Sequence, residues 1–310
     1  MAMITTKRLL LTTLTLAAVL TGCSNQGSSA GDSTDGSKNQ ASGGTKSVAE
    51  QVNRQIIGID PGAGIMKSAN KAIETYGLKD WKLVEGSGAA MTAALDKAIK
   101  DKKPIIVTGW TPHWMFAKYE LKYLSDPKNA FGGDEQIHTI ARLGLKTDHP
   151  SAYAALDRFE WTPDDMAVVM GAVQDGKKPE QAAKDWVDAN ADKVGKWIEG
   201  IDKADGKSLK LGYVAWDSEI ASTNVIKYVL ESKLGYKVTA LQVEAGPMWA
   251  GVAGGDTDAM VAAWLPTTHA DYLDKYKDKV EDLGPNLNGT KTGLVVPAYM
   301  DIDSIEDLAK

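Results

Sequence analysis

Residues 56–65 read Ile56-Ile57-Gly58-Ile59-Asp60-Pro61-Gly62-Ala63-Gly64-Ile65. The isoleucine-rich run predicts a strand over 56–60, and the Pro-Gly turn after it leads into a helix over about 65–76. A helix that begins in a glycine turn leaves backbone N–H groups free in its first turn, and such groups bind small anions. This stretch therefore predicts a strand, a turn and a helix whose first N–H groups suit a carboxylate.

The alternation of strands and helices continues along the chain and begins again in its second part. The further predicted elements are strands over 81–85, 104–108, 209–215 and 237–243, helices over 90–100 and 222–234 and from about 247, and a short strand that ends at 263–269. A charged helical stretch over 162–200 lies between the two parts. Strands that alternate with helices predict an α/β fold, and the repetition predicts two similar units.

Two short motifs occur once in each part. Gly109-Trp110-Thr111-Pro112 matches Ala263-Trp264-Leu265-Pro266, and Gly88-Ala89-Ala90-Met91 matches Ala245-Gly246-Pro247-Met248. Each part thus brings a strand end, a helix N-terminus and a Trp-x-Pro corner to one edge, where open α/β sheets bind ligands. We expect a two-lobed molecule with its ligand in the cleft between the lobes. The expected bounds are 48–140 for the first lobe, 141–205 for a helical connecting region and 206–310 for the second lobe.

Tryptophan is unusually frequent, with nine residues against three phenylalanines. Three of them, Trp110, Trp216 and Trp264, stand where predicted strands end at the cleft. A quaternary ammonium has no N–H for a carboxylate to accept, whereas electron-rich ring faces attract it. Three rings would supply roughly 6 kcal/mol, which is less than the ~8 kcal/mol of micromolar binding. A second contact is needed, and the helix N-terminus at Gly64 and Ile65 would supply it to a carboxylate of the same ligand.

The N-terminal residues have the features of a signal peptide. Lys7 and Arg8 precede an apolar run over 9–20, which is shorter than the roughly 20 residues of a membrane-spanning helix. The run ends at Leu20-Thr21-Gly22-Cys23, which resembles a bacterial lipobox. We expect a signal peptide over 1–22, then a lipidated Cys23 and a flexible Gly/Ser-rich tether over 23–47. An ordinary cleaved signal with an accidental cysteine is the alternative.

Composition and motifs exclude several classes of protein. The formal net charge of −6 argues against a nucleic-acid partner, and the single cysteine excludes a disulfide framework. Gly62-Ala63-Gly64 after a strand suggests an NAD-dependent enzyme as an alternative, but Lys67 stands where that motif needs its third glycine. A surface adhesin or structural lipoprotein is a further alternative, but neither function would give a role to the two Trp-x-Pro corners. With neither a metal-ligand spacing nor a catalytic constellation, we expect no cofactor, no metal and no enzymatic activity.

The sequence closely resembles the glycine-betaine-binding proteins of osmoprotectant ABC importers over residues 56–308. The segments that carry the resemblance are Gly58-Ile59-Asp60-Pro61-Gly62-Ala63-Gly64-Ile65-Met66, Thr108-Gly109-Trp110-Thr111-Pro112-His113-Trp114, Ala215-Trp216-Asp217-Ser218-Glu219-Ile220, Glu244-Ala245-Gly246-Pro247-Met248-Trp249 and Ala263-Trp264-Leu265-Pro266-Thr267-Thr268-His269.

The resemblance implies a periplasmic-binding-protein-like fold of type II and a ligand site at defined positions. The positions that match the family site are Trp110, Trp216 and Trp264 around the ammonium, and Gly64, Ile65 and His269 at the carboxylate. The implied ligands are glycine betaine and proline betaine, with choline or carnitine as alternatives. The implied partners are the permease and ATPase subunits of an ABC transporter, at the extracytoplasmic face of a bacterial cell membrane.

Overall fold

A computed structural model describes residues 46–310 of the chain. The expected signal peptide over 1–22, the lipidated Cys23 and nearly all of the tether over 23–47 lie outside the described residues.

The strands form a single mixed sheet. They are β1 Gln55–Ile57, β2 Lys82–Val84, β3 Val107–Thr111, β4 Leu121–Tyr123, β5 Glu135–Arg142, β6 Ser208–Tyr213, β7 Lys237–Gln242, β8 Ala259–Leu265 and β9 Val280–Pro297. Their order is β2-β1-β3-β9-β5-β8-β6-β7, and β4 pairs with β9 outside that path.

Two halves of the sheet share the long strand β9. In one, β1 pairs in parallel with β2 and β3, and residues 291–297 of β9 run antiparallel between β3 and β4. In the other, β6 pairs in parallel with β7 and β8, and β5 runs antiparallel between β8 and residues 280–290 of β9. Both halves thus order their strands second, first, third and then an antiparallel strand. The predicted α/β fold with a type II arrangement is confirmed.

The sheet pairing does not follow the expected lobe bounds. We call residues 46–124 and 291–310 the first half and residues 135–290 the second half. Strand β5, expected within the first lobe at 48–140, pairs entirely within the second half, and the chain end returns to the first half, where Ser304 bridges Ser125. The chain therefore crosses between halves twice, over 125–134 and at about 290–291.

Helices cover the faces of the sheet. They are α1 Val48–Gln51, α2 Gly64–Thr75, α3 Gly88–Lys100, α4 Met115–Lys118, α5 Leu145–Asp148, α6 Pro150–Asp157, α7 Pro163–Gln174, α8 Pro179–Ala189, α9 Ala191–Ile198, α10 Asp217–Ser232, α11 Ala245–Gly254 and α12 Ala270–Tyr276, with a 3-10 helix at Ile305–Ala309. The stretch expected to connect the lobes, 141–205, packs in the second half, because α7 and α8 lie against α10. The tryptophans of this stretch are core residues: Trp186 and Trp197 are buried and stack with ring centroids 6.0 Å apart.

Two element starts differ from the sequence prediction in ways that matter for the site. Strand β3 covers Val107–Thr111 and not 104–108, so Trp110 lies inside the strand. Helix α10 begins at Asp217 and not near Ser222, which makes Trp216 its N-cap residue. Among the helices of residues 46–310, none combines the length and hydrophobicity needed to cross a membrane.

Candidate functional site

A small cavity lies between the two halves. The residues that line it are Ile59, Ala63, Gly64, Ile65, Trp110, Trp216, Trp264, Thr268 and Thr292. Five of the six predicted ligand residues are among them. His269 is the exception, although its chain neighbour Thr268 is part of the wall.

The three predicted cage tryptophans come from both halves. Trp110 stands on β3 opposite Thr292 of β9, Trp264 stands on β8 opposite Ile137, and Trp216 caps α10. All three are buried, with exposed fractions of 4%, 2% and 6% respectively. Each of the two Trp-x-Pro corners contains a cis peptide bond, before Pro112 and Pro266. The two repeated corners carry Trp110 and Trp264, and the start of α10 carries Trp216, to the wall of one cavity.

Carboxylates hold two of these rings by their edges. The indole N–H of Trp216 donates to Oδ1 of Asp60 over 2.8 Å, and that of Trp264 donates to Oε1 of Glu219 over 2.9 Å. Nε1 of Trp110 is buried and has no acceptor among residues 46–310. Burial raises the pKa of Glu219 to about 8, which the bond from Trp264 only partly offsets.

The start of α2 forms the other end of the cavity. Its N-cap residue, Ala63, has no capping side chain, and the N–H groups of Gly64 and Ile65 find no acceptor within residues 46–310. Gly64 is pressed against the second half, because a Cβ atom built there would lie only 1.9 Å from the carbonyl oxygen of Thr268. Two free N–H groups and the positive end of the helix dipole therefore face a small cavity, a geometry that suits a carboxylate.

His269 lies among aromatic side chains beside the cavity. Its Nδ1 accepts the backbone N–H of Trp264 over 3.1 Å. The proton of the neutral imidazole is therefore on Nε2. Nε2 is buried without a partner in the described part of the chain. Burial, and to a lesser extent the charge of Lys67, lowers the pKa of His269 to about 3. The ring is thus a neutral donor whose Nε2–H has no acceptor within residues 46–310.

Several contacts join the halves around the cavity. Besides the Trp216–Asp60 bond, the hydroxyl of Tyr272 donates to the carbonyl of Gly62 over 2.9 Å. Lys67 pairs with Asp271 over 2.8 Å, but both side chains are more than half exposed, so this pair contributes little energy. These contacts place the two halves in a closed arrangement.

Sequence reasoning missed part of this site. Thr292 lies on β9, a strand whose pairing depends on residues far apart in the chain. Asp60 and Glu219 stand inside the segments that carry the family resemblance, yet neither lines the cavity. The sequence offers only their positions as a signal: Asp60 directly precedes the Pro-Gly turn, and Glu219 lies three residues after Trp216. No cluster of three or more His, Cys, Asp or Glu side chains within residues 46–310 is arranged to hold a metal.

Comparisons with known proteins agree on one family. Residues 34–189 and 207–310 match the family model described as the substrate binding domain of ABC-type glycine betaine transport system. The glycine betaine/carnitine transport binding protein GbuC of Listeria monocytogenes is 58% identical over 266 residues, which cover 85% of this chain and 88% of that protein.

Solved structures of related proteins are also similar. One is lactococcal OpuAC in its closed form with glycine betaine, at 53% identity over 48% of this chain and 59% of the other, with a TM-score of 0.47. Another is the glycine betaine/L-proline-binding protein ProX of Borrelia burgdorferi, at 36% identity over 49% and 58%, with a TM-score of 0.47. Both alignments span less than two thirds of the solved chain. On the family model and the Listeria relative, the chain belongs to the substrate-binding domains of ABC-type glycine betaine transport systems.

Proposed function

We propose that this chain captures glycine betaine and related quaternary-ammonium solutes outside the cytoplasm and delivers them to an ABC importer. The observation that carries the proposal is the cavity in which three buried indole rings meet two free N–H groups of α2. The rings suit a methylated cation, and the helix N-terminus suits a carboxylate. A ligand with both groups a few bonds apart, such as glycine betaine, fits this pairing.

In this proposal each predicted residue has one role. Trp110, Trp216 and Trp264 enclose the trimethylammonium, while Gly64, Ile65 and Nε2 of His269 donate to the carboxylate. His269 supports this assignment because its buried N–H has no acceptor within residues 46–310. A buried donor without a partner is costly, so a ligand oxygen there would be bound firmly. The role is binding and release, without catalysis.

Isothermal titration of the protein with glycine betaine tests the proposal. Proline betaine, carnitine and choline are the comparison ligands, and carnitine is included because the Listeria relative is named for it. We expect glycine betaine to bind at micromolar or tighter affinity and choline, which lacks the carboxylate, to bind much more weakly. Absence of binding by glycine betaine would overturn the proposal. Choline binding as tight as glycine betaine would overturn the carboxylate contact.

We further propose that Cys23 carries a lipid that keeps the protein at the extracytoplasmic face of the membrane, beside its permease and ATPase subunits. The support is Leu20-Thr21-Gly22-Cys23 after a short apolar run. Because a lipid anchor attaches through one side chain, Cys23→Ala should release the mature protein into the soluble fraction. Mutant protein that stays membrane-bound after a high-salt wash would contradict this.

A further inference from the structure

Two rings of the proposed cage have a carboxylate at their edge. Asp60 accepts the indole N–H of Trp216, and Glu219 accepts that of Trp264. Only one oxygen of each carboxylate is used in this way. The second oxygen of each, Oδ2 of Asp60 and Oε2 of Glu219, is buried and has no hydrogen-bond partner within residues 46–310.

These two carboxylates also lack a cation from the protein. In residues 46–310, no Lys, Arg or His side chain forms an ion pair with either of them. The pKa of Glu219 responds only to burial and to the Trp264 bond, with no contribution from another charge. An unpaired buried charge is expensive, so burial keeps Glu219 protonated below its pKa of about 8, and a cation placed nearby would favour its ionised form. The missing positive charge is what a ligand in the cavity would bring.

We propose that Asp60 and Glu219 are positioning residues that make the cage selective for a positively charged head group over a neutral one of the same shape. Each fixes a ring by its N–H edge and adds negative potential at that edge, close to the cavity that the ring lines. The inference rests on the proposed function and deepens it, because it assigns charge selectivity to residues outside the cavity wall. Ring faces alone attract a cation modestly, whereas a full negative charge close to a poorly solvated site acts more strongly.

A pair of isosteric ligands separates charge from shape. Glycine betaine and 3,3-dimethylbutanoate have the same carboxylate and the same three methyl groups, and they differ only in a quaternary nitrogen or carbon. The quantity to measure is the affinity for glycine betaine divided by the affinity for 3,3-dimethylbutanoate. Where dimethylbutanoate binds too weakly for direct titration, its affinity is measured by competition with glycine betaine. A residue that only shapes the site would change both affinities together and leave the ratio unchanged.

The variants keep the hydrogen bond to the ring and remove the charge. In Glu219→Gln and Asp60→Asn the side-chain oxygen still accepts the indole N–H. The matched control is Asp126→Asn, whose carboxylate accepts the hydroxyl of Tyr76 and the N–H of Phe131 and does not line the cavity. Titrations are run at pH 9, above the pKa of about 8 that burial gives Glu219. Circular dichroism and a thermal melt verify folding, and if Glu219→Gln does not fold, Asp60→Asn decides alone.

We expect the ratio to fall by about tenfold in each variant and to stay unchanged in the control, since one unit charge is removed close to the cation. Equal losses of both ligands, or an unchanged ratio in a folded variant, would overturn the inference. Wild-type protein that binds neither ligand would instead overturn the proposed function, so the two failures are distinguishable.

Discussion

At the scale of single residues, the two ends of the cavity suit different chemical groups of a ligand. The indole faces offer no hydrogen-bond donor toward a head group, while Gly64, Ile65 and His269 offer only donors. Burial holds the pKa of His269 near 3, so its ring stays neutral even in mildly acidic solution. Mutations at the two ends should therefore be distinguishable by ligand.

Trp264→Ala should weaken every quaternary ligand. It removes a ring that is only 2% exposed, and a desolvated cation–π contact contributes about 2 kcal/mol or more. Titration of the variant with glycine betaine and with choline measures this. Loss of glycine betaine affinity alone would show that Trp264 does not contact the ammonium group.

His269→Ala should weaken glycine betaine by about 1.5–3 kcal/mol, the range for a hydrogen bond to a charged group. Residual choline binding should hardly change, because choline has no carboxylate to accept the N–H. Both titrations are made at one pH and one salt concentration. Equal losses for the two ligands would show that His269 does not recognise the carboxylate.

At the scale of elements, helix α2 meets the second half without room for a side chain. The close approach of Gly64 to Thr268 is possible only because glycine has no Cβ atom. Gly62, two residues earlier, has nothing within 4 Å of its own Cβ position. Its φ is also outside the left-handed region, so it offers a matched control.

Gly64→Ala should weaken glycine betaine by about 1–3 kcal/mol, since the start of α2 must withdraw from the second half to relieve the overlap. Gly62→Ala should change the affinity by less than about 0.5 kcal/mol. Titration of both variants beside the wild type tests the difference. Similar affinities for the two variants would mean that the approach of α2 to Thr268 is not required for binding.

The elements also show what the sequence could predict. Local signals were sufficient for α2, for the parallel strands of both halves and for the Trp-x-Pro corners, because periodicity and turn residues act over a few positions. They were insufficient for β5 and β9, whose assignment depends on partners more than a hundred residues away. The lobe bounds expected at 140 and 205 therefore missed both crossings. Asp60 and Glu219 were missed for a related reason, since their partners are rings on other elements.

At the scale of the whole molecule, the cavity exists only while the halves are together. Gly64, Ile65 and Trp110 belong to the first half, and Trp216, Trp264 and His269 belong to the second. A ligand that touches both sets should favour the closed form over an open one. Solution scattering should show a more compact particle on addition of glycine betaine. An unchanged profile at saturating ligand would count against closure on binding.

The buried titratable groups should give stability a two-sided pH dependence. The pKa of His269 falls from 6.5 to about 3 on folding, so its contribution is present above pH 6.5 and is lost as pH falls toward 3. The pKa of Glu219 rises from 4.5 to about 8, so its contribution is present below pH 4.5 and is lost as pH rises toward 8. Between pH 4.5 and 6.5 the two slopes oppose each other and cancel.

Urea unfolding across pH 3–9 tests this. Each group should contribute a slope of about 1.4 kcal/mol per pH unit in its own window, the acid one for His269 and the alkaline one for Glu219. The free energy of unfolding of Glu219→Gln, compared with wild type, should lose the decline between pH 6.5 and 8. His269→Gln should lose part of the decline below pH 4.5. If the curves of unfolding free energy against pH were parallel for wild type and both variants, the assignment of the two slopes to His269 and Glu219 would be contradicted.

Strand β9 has a consequence for the order in which the molecule can be made. Its residues 280–290 complete the sheet of the second half, and its residues 291–297 insert between β3 and β4 of the first. A ribosome must therefore translate as far as residue 290 before the second half has its last strand, and as far as residue 297 before the first half has its own. A nascent chain stopped before residue 280 would have two unfinished sheets, and it should remain sensitive to protease throughout. Completion of both halves is thus delayed until all their other strands have been made, and until then the unfinished chain is available to a secretion channel or a chaperone.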